Sequence, residues 1–132
     1  MTFAAAPTLD DIEALARQAW DAMPASFRRL AGGVIFRVED LADEEILADL
    51  GIDDPFELTG LYQGVDLTQQ SIADPRPAMA IVFLFRRAIL DEWIERGNVT
   101  LETLVAHVLV HEVGHHFGLS DEQMDEILER AD

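Results

Sequence analysis

Apolar residues near the start of the chain recur at helical spacing. Ile12, Leu15, Ala16, Ala19, Trp20 and Met23 fall at i, i+3, i+4, i+7, i+8 and i+11, which predicts an amphipathic helix over Thr8 to Met23. Thr8 is a suitable cap and Pro24 a stop, and Pro24 also opens a short helix through Leu30. Gly32-Gly33 then turns the chain into Val34 to Val38, a β-branched and aromatic run suited to a strand. Around Ile46, Leu47 and Leu50 the pattern suggests a short acidic helix ended by Gly51. Pro55 to Pro77 carries only brief apolar pieces such as Leu58 to Tyr62, and reads as irregular with room for one short strand.

The second half is more strongly patterned. Ala80 to Phe85 is an unbroken apolar run that predicts a strand. Ile89 to Arg96 follows as a helix with Leu90, Trp93 and Ile94 inward and Gly97 at its end. Thr100, in preference to Asn98, caps a long helix to Phe117 whose apolar residues lie nearly all round it, the mark of a central, buried element. Gly118 ends it. Ser120-Asp-Glu-Gln123 forms a capping box for a last helix to Arg130, with Met124, Ile127 and Leu128 inward. Helices and strands in this order predict an α+β fold.

Composition narrows the function. With 132 residues, 49% hydrophobic and 27% charged, residues 1–132 are expected to form one globular domain. The Ala78 to Phe85 run is far short of the roughly eighteen residues of a membrane span. The first ten residues carry no basic residue ahead of their short apolar stretch, so they do not read as a secretory signal, and a cytoplasmic protein is the expectation. There is no cysteine, which excludes disulfides, thiolate nucleophiles and thiolate metal sites. The net charge of −17 repels phosphate backbones and argues against nucleic acid as a partner. Nine carboxylates between residues 39 and 57 read as a solvated face.

All four histidines lie between positions 107 and 116, on the most apolar helix, where they are costly unless something uses them. His111 and His115, four residues apart, project from one helix face and can meet one metal ion. Glu112 completes the pattern HExxH, in which two neutral imidazoles bind zinc (Zn2+) and the glutamate, turned slightly round the helix, reaches the attacking water. The run continues to HExxHxxGxxD. At the spacing where metzincins place a third histidine, this chain has Asp121, a chemically suitable zinc ligand after a glycine that lets the chain turn back. Glu122, Asp125 and Glu126 lie in the same helix as other carboxylates of the kind a gluzincin-like site would use.

Other residues have blander readings. His107, four residues before His111, makes an alternative pair with it but lacks the neighbouring glutamate in the right place, and is assigned to core packing or to support of the ligands; His116 is assigned to a structural role or to contact with Glu112 or substrate. Tyr62, the only tyrosine, is a packing residue or a hydrogen-bond donor to a developing oxyanion. Arg86 and Arg87 read first as local ion-pair residues and second as carboxylate binders.

On these motifs the chain resembles the small bacterial zincin-like metallopeptidases, whose motif is close to HE-x-x-HHFG-[LI]-SD. The resemblance extends back over Gly60-Leu-Tyr-Gln-Gly64 and Ile81-Val-Phe-Leu-Phe-Arg86-Arg87, and covers about residues 58 to 128. It implies a minimal zincin fold, a small mixed sheet packed on the buried, metal-bearing HExxH helix with a cleft between, edged by the strand 80–85. It also implies zinc held by His111, His115 and Asp121, with Glu112 as general base. Eleven residues follow Asp121, too few for the Met-turn subdomain of the larger metzincins, and Met124 reads as core. The expected activity is zinc-dependent hydrolysis of a peptide or protein substrate. The alternative is a catalytically weak or inactive metal-binding interaction module on the same scaffold.

Overall fold

The computed structural model describes residues 5–64 and 79–130. In chain order the elements are α1 (Leu9–Ala22), α2 (Ala25–Ala31), β1 (Gly33–Glu39), α3 (Glu44–Leu50), a 3-10 turn (Pro55–Glu57), β2 (Gly60–Gly64), β3 (Met79–Phe85), α4 (Arg86–Arg96), α5 (Leu101–His116) and α6 (Asp121–Arg130). Most of the stretch read as irregular between Pro55 and Pro77 lies outside the described residues. Its described part holds the 3-10 turn and the short strand β2.

The sheet has the order β1-β3-β2, with β1 parallel and β2 antiparallel to β3. This is the mixed sheet expected, but β3 is its centre. The expectation that residues 80–85 edge the cleft is therefore corrected: the strand beside the site is β2. The reason lies in β3's own composition. Ala80, Val82 and Leu84 join the main core with α1 and α5, while Phe83 and Phe85 form a second cluster with Ala42 and Ala88. A strand buried on both faces shows no polar alternation, so its apolar run does not reveal whether it is central or at an edge.

The helix boundaries follow local capping. The Thr8 hydroxyl accepts from the Asp11 N–H (3.1 Å) while Asp11 accepts from the Thr8 N–H (2.8 Å), a capping box that starts α1. Thr100 caps α5 through the Thr103 N–H at 3.1 Å. α4 begins three residues ahead of the predicted Ile89, without a side-chain cap. Its early N–H groups are served from a distance, the Arg87 N–H donating to the Asp40 carbonyl at 3.0 Å. Ile94 is corrected as well. It is 75% exposed, whereas Leu90 and Trp93 pack inward as expected.

α5 is the spine of the protein. Leu101, Leu104, Val105, Val108, Leu109, Val110 and Val113 are all buried along it. Gly60 and Tyr62 of β2 pair with Leu84 and Val82 of β3, on the sheet face that α5 covers. A Cβ on Gly60 would sit 2.8 Å from Val108 Cγ1 and 3.1 Å from Glu112 Cγ, so a glycine at this point lets β2 lie directly on α5.

Candidate metal centre

The C-terminal turns of α5 leave the core. Among the described residues no polar or charged side chain is fully buried, His111 and Glu112 being half-buried and His115 and His116 exposed. The expectation that the motif is locked inside a buried helix is corrected accordingly. Only the first part of α5 is enclosed, and the motif emerges at the helix end.

Immediately past α5 the chain turns back. Phe117 is the C-cap and Gly118 has φ +72°, the left-handed conformation that suits glycine. The Gly118 N–H donates to the His115 carbonyl (3.1 Å) and the Leu119 N–H to the Gly114 carbonyl (2.9 Å), the two bonds of a Schellman turn. Ser120 and Gln123 then form the reciprocal capping box read from the sequence, at 3.1 and 2.8 Å. Capping falls to Ser120, so the Asp121 carboxylate is left to other partners. α6 docks through Met124, which is fully buried at Gly114. A Cβ on Gly114 would lie 2.5 Å from the Met124 sulfur, so this glycine within HExxH is the seat of α6. Met124 is core, as expected.

This turn brings Asp121 to the two histidines. One ligand atom each from His111, His115 and Asp121 lie within 4.8 Å of one another, with His115 Nε2 and Asp121 Oδ1 at 3.9 Å. A tetrahedral zinc ion with bonds of about 2.0 Å sets its ligand atoms roughly 3.3 Å apart, so small side-chain rotations close this trio on an ion. Two imidazoles and one carboxylate are a zinc donor set, and the residues present fit the metal. Glu122 and Glu126 enter neither of the two groups of potential ligands found among the described residues. The second of these groups is His107, His111 and Asp125.

The Glu112 side chain lies close under Gly60 of β2. Burial pushes its carboxyl up to about 7 from an ordinary 4.5, with His115 pulling in the opposite direction. It shares a cleft of about 220 Å³ with His107, His111, Thr59, Glu92 and Arg96. Thr59, Glu92 and Arg96 carry no motif, so nothing in the sequence singles them out. They reach the cleft because α4 and the start of β2 pack beside α5.

The other residues singled out from the sequence make the following contacts. His107 is half-buried, its ring edge-on to His111 at 4.7 Å, and burial first and His111 second lower its pKa. His116 packs against Tyr62 with ring centroids 4.2 Å apart. Tyr62 is buried against His116 and Phe117, and burial raises its phenol pKa, so at neutral pH it is a donor. Arg86 pairs with Asp40 at 3.1 Å and donates to the Pro7 carbonyl. The Arg87 guanidinium lies over the Phe56 ring at 5.5 Å. Neither arginine lines the cleft.

An α+β scaffold that presents an HExxH helix and a backward-turning carboxylate defines the class of a zincin-like protein. Residues 31–130 match the zincin-like metallopeptidase family, and the chain belongs to that family. Comparison with curated proteins returns no match. No helix among the described residues is long and apolar enough to cross a membrane.

Proposed function

We propose that this protein is a zinc-dependent peptidase in which His111, His115 and Asp121 hold the ion and Glu112 is the general base. The observation that carries the reading is the half-buried Glu112, placed beside two histidines and an aspartate whose donor atoms converge within 4.8 Å. Zinc held there supplies Lewis acidity, polarising a carbonyl and lowering the pKa of a water. Glu112 takes the proton of the attacking water and returns it to the leaving amine, roles that suit a carboxyl poised near neutral pH. Gly60 keeps the Glu112 side chain close under β2, and Tyr62 on the same strand, its phenol protonated, packs against His116 just past the motif. Among the described residues β2 is paired only with β3. An extended peptide that adds to its other edge would gain backbone hydrogen bonds without sequence preference.

A second reading, a metal-binding module with little or no hydrolysis, is favoured by one observation. The His115 and Asp121 side chains are 62% and 85% exposed, so water has free access to two of the three ligands. Glu112→Gln separates the two. It keeps shape and removes the base, so the peptidase retains zinc and loses hydrolysis of a peptide library by about two to four orders of magnitude. Equal inertness of wild type and variant supports the module. Equal cleavage by both identifies a contaminating protease.

A further inference from the structure

Three histidines stand on one face of α5 at i, i+4 and i+8, with His107 and His111 rings 4.7 Å apart and His111 and His115 rings 5.6 Å apart. Opposite them α6 offers Asp121 and Asp125, also one turn apart. Asp121 converges on His111 and His115, while Asp125 converges on His107 and His111, in each case with donor atoms within 4.8 Å. The two helices thus form a ladder with two rungs, and His111 belongs to both. A neutral imidazole has one lone-pair nitrogen, its other nitrogen being an N–H, so His111 serves one ion at a time.

We propose that His107, His111 and Asp125 form a second position for a divalent ion such as zinc, about 6 Å down the helix from the first and mutually exclusive with it. This inference rests on the reading of His111, His115 and Asp121 as the first position. Two features distinguish the lower rung. His107 and His111 line the cleft, whereas His115 and Asp121 do not. Both lower histidines are half-buried, so their rings are held by packing, and only Asp125 is exposed. An ion at the lower rung borders the cleft through His107 and His111 and leaves His115 unliganded, so the protein can hold one zinc per chain in an inactive arrangement.

The test uses the full chain, stripped with chelator and reloaded with zinc, and reads stoichiometry by elemental analysis, affinity by chelator competition, and ligand identity by the imidazole NMR signals. Wild type is expected to take one ion. Asp121→Ala is expected to keep one ion, about ten- to a hundredfold more weakly, with the His107 and His111 signals shifted and His115 unmoved. Adding Asp125→Asn, an exposed position, is expected to abolish binding, and His107→Gln to do the same in the Asp121→Ala background. The proposal is overturned if Asp121→Ala alone binds no zinc, if its zinc still moves the His115 signal, or if wild type binds two ions at once. The outcomes separate the two readings. Wild-type zinc lost on Asp121→Ala and on His115→Ala keeps the first position and removes the second. Wild-type zinc indifferent to His115→Ala but lost on His107→Gln keeps the second and removes the first. Absence of zinc from wild type removes both.

Discussion

The two halves of α5 are the same helix under different rules. From Leu101 to Val110 the helix is core, with six apolar residues buried against α1, the sheet and the neighbouring helices. From His111 to His116 only Val113 and Gly114 are buried, and the remaining positions are half-buried or exposed. The first half is held in place by burial. The second half is held by its attachment to the first and by α6, which docks at Gly114. A rigid buried stem that ends in a projecting set of candidate ligands keeps them in register with Glu112 and the sheet without burying their polar atoms.

This contrast can be broken most sharply by truncating one residue in each half. Leu109→Ala removes a fully buried side chain and is expected to lower stability by about 2–5 kcal/mol in denaturant unfolding. His111→Ala, only two residues on, is expected to leave metal-free stability within about 1 kcal/mol of wild type, a surface-like cost, while eliminating zinc binding because both candidate ligand sets use it. If His111→Ala unfolds the metal-free protein as much as Leu109→Ala, the second half is core after all. Gly114→Ala probes the junction. Its added methyl must displace buried Met124, so we expect a loss of about 1–3 kcal/mol in thermal or denaturant unfolding, together with weaker zinc binding as α6 shifts.

Glu112 sharpens the comparison through pH. In the metal-free protein its carboxyl is raised to about 7 by burial, so the native state holds this proton more tightly than the unfolded chain does. Its contribution is fully present below the ordinary carboxyl range and is lost as pH rises through about 7, where the charged form must be desolvated. Metal-free Glu112→Gln is therefore expected to exceed wild type in stability at pH 8 by on the order of 2 kcal/mol, discounted for partial exposure, and to match it near pH 4. Equal stability at both pH values removes the burial argument for the base. The smallest effect is expected at Gly118→Ala. Nothing crowds its Cβ, so only the left-handed backbone matters, and about 1 kcal/mol should be lost in unfolding.

Local chemistry made much of the molecule legible. Thr8, Thr100 and Ser120 name the starts of α1, α5 and α6, and Gly51, Gly97 and Gly118 mark helix ends, because caps and left-handed turns are decided within a few residues. The same holds for the candidate ligands His111 and His115 and for Glu112, whose relation is set by the pitch of one helix. Asp121 was legible to the extent that a glycine turn and a capping box sit between it and His115.

Tertiary structure alone decided the rest, since these features depend on which distant segments meet. β3 became central and β2 the strand beside the site because both faces of β3 were covered, which an apolar run cannot reveal. α4 began at Arg86, where the Asp40 carbonyl just past β1 accepts from the Arg87 N–H. Ile94 faced water although its spacing suited a core. Asp125 met His107 only because the seat at Gly114 sets how α6 lies along α5. Within one helix, spacing fixes which side chains share a face; between helices, the size of a single residue at the contact decides which of those faces meet.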